Sequence, residues 1–238
     1  MASAVVAVTP AAPVSVVIPW ALAPGRAHGL QLVLGFYAQE FPGWELIVAD
    51  DRSPTYASGR AANAGALAAS GEILVRNDGD SLVPAAQVAR AVSMARAEPG
   101  VVKAYRRYRR LSGVASRACS SYRDVLEADG PAIEWEMFEA QSHGVMAVRR
   151  ECFLEVGGYD PRFQGWGYDD IAFDVAAGRW PSRRVDGDLF HVWHPPDPAT
   201  DADDPDHAAN LALFDRYSRA TDELEVLAAI RAEAPPLA

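Results

Sequence analysis

The chain has 238 residues, half of them apolar, and a formal net charge of −10. That length fits one domain with a sizeable core, and the acidic balance excludes a nucleic-acid binder, which needs a basic surface to displace counterions. No run approaches the roughly 18 apolar residues of a membrane span, residues 1–13 lack the basic start of a signal peptide, and Cys119 and Cys152 read as reduced, buried thiols, so a cytoplasmic protein with a flexible leader is expected.

Taken in chain order, residues 14–19 form an apolar run ended by proline, the pattern of a buried parallel strand. A helical pattern covers 29–39. A second strand over 44–49 runs into Asp50-Asp51-Arg52-Ser53. An Ala-rich helix over 60–70 is stopped by Gly71, and a third strand over 72–76 delivers Asn77-Asp78-Gly79-Asp80. Residues 84–97 form another helix, with Pro84 suited to its first turn, and 101–105 a fourth strand. Strand and helix alternating at this spacing imply right-handed crossovers and a mainly parallel sheet. Ligands of such sheets gather at the carboxyl ends of the strands, where both acidic clusters fall.

The second half is less regular. Residues 106–141 show no clear period. A strand is expected over 144–148, short helices over 150–156 and 171–177, a glycine- and aromatic-rich segment over 157–170, and a strand over 189–193 ending in His194-Pro195-Pro196. After an acidic loop, one long helix is expected over 208–232, burying Leu211, Phe214, Leu224, Leu227 and Ile230.

Several groups carry chemistry. Asp78 and Asp80 on one turn suit a hard divalent ion, Mn²⁺ or Mg²⁺, of the kind that neutralises a departing diphosphate. Asp50 and Asp51 suit hydrogen bonds to a base or ribose, and Arg60 and Asn63, three apart on a helix, reach toward one ligand. Residues three apart on a strand face opposite sides, so His191 and His194 share an ion only if the strand has ended, as Pro195-Pro196 suggests. The run Arg106 to Arg110 reads as a solvated face, and Trp135 between Glu134 and Glu136 as a surface that suits sugars.

Together these motifs resemble a known family. Val16-Val17-Ile18-Pro19, Ile47 to Ser53, Arg60 to Gly65, Gly71-Glu72-Ile73 and Asp78-Gly79-Asp80 resemble the family 2 glycosyltransferases with the GT-A fold, with Arg52 where glycine is usual and Ala62 where arginine is common. Met146 to Glu151, Val156 to Asp160, and Phe163-Gln164-Gly165-Trp166-Gly167-Tyr168-Asp169-Asp170 resemble the carboxyl-terminal half of β-galactosyltransferases and polypeptide N-acetylgalactosaminyltransferases. The resemblance implies Asp170 as the catalytic base, with Asp169, Trp166, Tyr168 and Gly167 on the acceptor side. It also implies His194 or His191, or both, as metal ligands beside Asp80 and Asp78. The nucleotide side comprises Pro19, Asp50, Asp51, Arg60, Asn63, Asn77 and Asp78.

The resulting expectation is an α/β GT-A domain over 14–205, its nucleotide half 14–105 and its acceptor half 106–205, with a carboxyl-terminal helix and tail over 206–238. Its activity would be inverting, metal-dependent transfer of a hexose or N-acetylhexosamine from a UDP sugar to a carbohydrate, metabolite or protein acceptor. A non-catalytic sugar binder and a sugar nucleotidyltransferase are the rivals. The second would need a glycine-rich phosphate loop, which 20–29 does not provide.

Overall fold

In the computed structural model, which describes residues 4–7, 13–21, 25–50, 55–140, 143–165, 167–195, 205–221 and 223–237, a seven-stranded sheet forms the centre. Across it run β1 (Ala4–Ala7), β3 (Glu45–Asp50), β2 (Val14–Trp20), β4 (Ile73–Asn77), β9 (Val145–Arg149), β6 (Val101–Lys103) and β10 (Ser182–Arg184). The alternation within β2 shows why the sheet is covered twice. Val14, Val16 and Ile18 pack with Leu32, Val33 and Phe36 of α1 (Ala27–Glu40) and with Val88 and Val92 of α3 (Ala85–Ala97). Val17 points the other way, onto Ala62 and Ala66 of α2 (Ser58–Ala68), joined there by Phe153 of α6 (Arg150–Glu155) and Phe173 of α7 (Asp169–Ala176). A strand buried on both faces reads as a continuous apolar run.

The α/β class and the flanking helices are as expected, but the sheet is mixed. Parallel register runs from β3 through β2 to β4 and again from β6 to β10, while β9 lies antiparallel between β4 and β6. The chain leaves the sheet at the end of β6 and re-enters at β9 from that same end, Lys103 lying opposite Met146, which reverses that strand. Residues 4–7, expected within a flexible leader, instead form β1, antiparallel to β3 with Ala4 opposite Asp50. An edge strand presents unpaired backbone groups that such a segment satisfies.

The segment without a clear period builds a second sheet in the order β5 (Ser81–Leu82), β11 (Asp188–His191), β7 (Arg107–Leu111) and β8 (Ile133–Phe138), with α4 (Gly113–Ala118) and α5 (Tyr122–Leu126) between β7 and β8. The basic run is not a bare solvated face. Arg107 pairs with Asp188 at 2.7 Å, Arg109 with Asp129 at 2.6 Å, and Arg110 with Glu134 at 3.7 Å. The expected terminal helix is two, α8 (Pro205–Arg219) and α9 (Leu224–Ala232). The break lets Tyr217, Leu227 and Ile230 bury together against Phe163, Ala172 and Ala176, and leaves Leu211 and Leu224 exposed. Both cysteines are free and buried, and among the described residues no helix is long and apolar enough to cross a membrane.

Candidate functional site

The Asp78-Gly79-Asp80 turn leaves the carboxyl end of β4. Asn77 is buried and braces it: its Oδ1 accepts from the Tyr37 hydroxyl at 2.7 Å, and its Nδ2 donates to the carbonyls of Asp78 and Ser81. Asn77, expected on the nucleotide side, is thus a structural residue of the turn. Helix α1 seats against it so closely that a methyl group on Gly29 would lie 3.0 Å from Asp80 Cβ. Directly after the turn, β5 pairs antiparallel with β11, placing His191 opposite Ser81, and Val192 N–H donates to the Asp80 carbonyl at 2.8 Å.

This pairing gathers the metal candidates. Asp80 Oδ1 lies 3.4 Å from His191 Nε2, and Oδ2 lies 3.3 Å from His194 Nε2. Strand β11 ends at His191, so His194 turns back toward the same carboxylate, and one donor atom from each residue falls within 4.8 Å of the others. His194 Nδ1–H donates to the Pro195 carbonyl at 2.7 Å, which turns Nε2 toward Asp80. Burial lowers His191 to about 4, against the pull of Asp80, and its buried Nδ1 has no hydrogen-bond partner among the described residues. Burial alone would raise Asp80, but His191, His194 and Arg26 outweigh it and keep the carboxylate ionised. One carboxylate with two imidazoles fits Mn²⁺ better than Mg²⁺, which prefers oxygen throughout.

Asp78 does not join this group. Its Oδ1 is 2.7 Å from Arg76 NH1, and desolvation pushes its carboxyl up to about 7 despite that partner. Arg76 is itself buried in β4, and its NH2 reaches within 3.8 Å of Asp170 Oδ1. The guanidinium therefore spans the metal side and the second acidic pair. That pair, Asp169 and Asp170, opens α7, where the helix dipole favours anions. Asp170 Oδ2 accepts the backbone N–H of His143 at 2.9 Å, while Ser58 Oγ–H donates to Asp169 Oδ2 at 3.1 Å. Burial and the neighbouring Asp170 push Asp169 up to about 6. Burial would raise Asp170 as well, but His143 and Arg76 hold it below the ordinary range.

Other expected residues take different places. Asn63 is buried on α2, its amide clasping the backbone of Tyr159: Nδ2 donates to the carbonyl at 2.8 Å and Oδ1 accepts the N–H at 2.9 Å. It holds the Gly157-Gly158 turn, where Gly158 sits at φ +60, with both ends of its amide engaged by that backbone. Arg60 binds Gln164 Oε1 at 2.6 Å and the Thr55 carbonyl, tying α2 to the segment before α7. Tyr168, expected on the acceptor side, adopts φ +69, a left-handed conformation that favours glycine; its ring stacks on Phe214 of α8. Gly167 takes φ +104. Pro19 is buried in β2 opposite Ala49, and Asp50 closes β3 opposite Trp20. Asp51 and Trp166 lie outside the described residues. Sequence reasoning missed Arg76 and His143; a charge inside an apolar strand and a histidine just before one were the available signals.

Comparisons with known proteins bear on the fold and on one segment of the chain. Residues 129–176 match the family described as the N-terminal domain of galactosyltransferase. No curated protein sequence matches the chain. Among solved structures, TarS from S. aureus in complex with UDP-GlcNAc is similar with a TM-score of 0.57 at 12% identity, over 92% of this chain and 70% of that one. A mutant of Drosophila β1,4-galactosyltransferase 7 in complex with manganese, UDP-Gal and xylobiose is similar with a TM-score of 0.47 at 18% identity, over 72% of this chain. The xylobiose complex of the same fly protein's catalytic domain gives 0.42 at 16% identity, again over 72% of this chain. The chain spans 63% of the length of both fly structures. Fold and matched segment are those of GT-A glycosyltransferases.

Proposed function

We propose that the chain is an inverting glycosyltransferase that moves a hexose or N-acetylhexosamine from a UDP sugar to an acceptor hydroxyl. The observation that carries this reading is the convergence of Asp80, His191 and His194 from opposite halves of the chain, with Arg76 linking Asp78 on that side to Asp170 on the other. Asp80, His191 and His194 would hold Mn²⁺, which when bound supplies the positive charge that stabilises a departing diphosphate. Asp170 takes the proton of the acceptor hydroxyl. That oxygen forms the new bond to the anomeric carbon from the face opposite UDP, as the bond from that carbon to the phosphate oxygen breaks, so the configuration inverts. On the acceptor side, Trp135 stacks on Tyr108 at 5.4 Å with its outer face partly open, and the Tyr108 ring lies 5.6 Å from that of His191, an aromatic row suited to a sugar.

One observation favours a second assignment of the base. Asp169 is pushed up to about 6, nearer neutral pH than Asp170, and carboxylates whose values diverge divide acid and base roles between them. The test is UDP release from UDP-Gal and UDP-GlcNAc over a panel of sugar acceptors, with Mn²⁺ and with a chelator. Asp170→Asn should abolish transfer and spare UDP binding. Full transfer in that variant with loss in Asp169→Asn would reassign the base. UDP binding with no UDP release under any condition would instead make the chain a sugar-nucleotide binder.

A further inference from the structure

Beneath Asp170 lies a row of buried polar groups that the proposed reaction does not use. Lys103, 2% exposed on β6, places Nζ 2.9 Å from Asp174 Oδ2. Asp174 sits one helical turn beyond Asp170 on α7, and its Oδ1 accepts from His143 Nε2–H at 3.0 Å. His143 is fully buried. Its Nδ1 is hydrogen-bonded to the Tyr159 hydroxyl and lies 3.2 Å from Asp170 Oδ1, while its backbone N–H donates to Asp170 Oδ2. The segment is itself fixed, because the next carbonyl, that of Gly144, accepts the N–H of Asp78 at 2.8 Å.

Burying charge costs more than filling the same volume with apolar side chains. The sequence fills the adjoining space in that cheaper way: Phe173, between Asp170 and Asp174, packs on Tyr159 and Phe153 at ring distances of 4.8 and 5.2 Å. A chain of hydrogen-bonded groups kept beside such packing, and ending on a carboxylate of the site, has a directional purpose. With Nε2–H given to Asp174, the Nδ1 edge of the ring is aimed at the Tyr159 hydroxyl and at Asp170 Oδ1.

We propose that His143, braced by Asp174 and Lys103, is a positioning residue that fixes the carboxylate of Asp170 toward the acceptor. The proposal rests on the reading of Asp170 as base. Among the described residues Asp170 Oδ1 has no hydrogen-bond partner; the His143 ring at 3.2 Å and the Arg76 guanidinium at 3.8 Å flank it, and a carboxylate free to rotate would lose its alignment with the attacking hydroxyl.

The test uses the full chain, UDP release from UDP-Gal or UDP-GlcNAc, and calorimetric binding of UDP with Mn²⁺. His143→Phe and Asp174→Asn should lower kcat roughly 10- to 100-fold with donor KM and UDP affinity within about twofold of wild type. His143→Gln, which keeps a donor for Asp174, should recover most of kcat and also keeps the test decisive if His143→Phe does not fold. Unchanged kcat in the folded variants, or a loss shared equally by UDP binding, overturns the proposal. If Asp170→Asn alone leaves transfer intact, the base assignment fails instead, and a kcat loss that persists for His143→Phe in that background assigns its action to another group.

Discussion

Replacing Asp169 by asparagine should stabilise the protein at alkaline pH and leave it little changed in acid. The Asp169 carboxyl is pushed from the ordinary 3.8 to about 6, first by burial and then by Asp170, against the pull of Arg76 and Ser58. The folded chain therefore holds this proton more tightly than the unfolded chain. The stability it contributes is complete below the ordinary value and is lost as pH rises through about 6. At about pH 5 the folded carboxyl is still mostly protonated and the unfolded one mostly ionised, a difference of about 1.4 kcal/mol that is gone by about pH 8. Asparagine has no such dependence and keeps an oxygen for the Ser58 hydroxyl. The stability of Asp169→Asn relative to wild type should thus grow by about 1.4 kcal/mol between those conditions, or roughly 3–6 °C in Tm. Paired urea titrations at both pH values measure it directly. A difference that stays constant with pH, or shrinks as pH rises, refutes the reasoning.

Other substitutions probe the remaining assignments. Asn63→Ala strands the Tyr159 N–H and carbonyl in a buried site, so it should cost about 2–5 kcal/mol; loss of UDP affinity without loss of stability, read by calorimetry and urea unfolding, would restore Asn63 to the nucleotide side. His194→Ala should lower Mn²⁺ affinity by at least about 10-fold, seen as a shift in the Mn²⁺ dependence of UDP release, whereas an unchanged dependence would remove it from the ion. Trp135→Ala should raise the acceptor KM and leave the donor KM unchanged, and a donor effect would contradict the aromatic row as an acceptor surface. Gly29→Ala places a methyl group 3.0 Å from Asp80 Cβ and should weaken Mn²⁺ binding while α1 stays folded, checked by circular dichroism beside the metal titration.

Much of the molecule was readable from local pattern. Strands β2, β3 and β4 announce themselves as short apolar runs, and the helices between them by period and by stops such as Gly71, because burial on both faces leaves little freedom in composition. Asp80 at a strand end and the turn of His194 behind Pro195 followed from the same rules. The terminal helix was read as one because its apolar spacing continues through 220–223, where only packing of Tyr217 and Ile230 into a common groove reveals the break. Asn63 and Asn77 show the limit for site residues: a buried amide and a ligand-binding amide look alike in sequence, and the partners that settle the matter, Tyr159 and Tyr37, are 96 and 40 residues away.

By itself, the sequence determined the α/β class, the order of its amino-terminal elements and residue types suited to a divalent ion, since these depend on periodicity and donor chemistry within a few positions. Tertiary structure alone decided which of those residues meet. The antiparallel pairing of β5 with β11 brings Asp80 to His191 and His194, and the reversed strand β9 carries His143 beneath Asp170. Those contacts arise from strand register between distant segments, which no local pattern encodes.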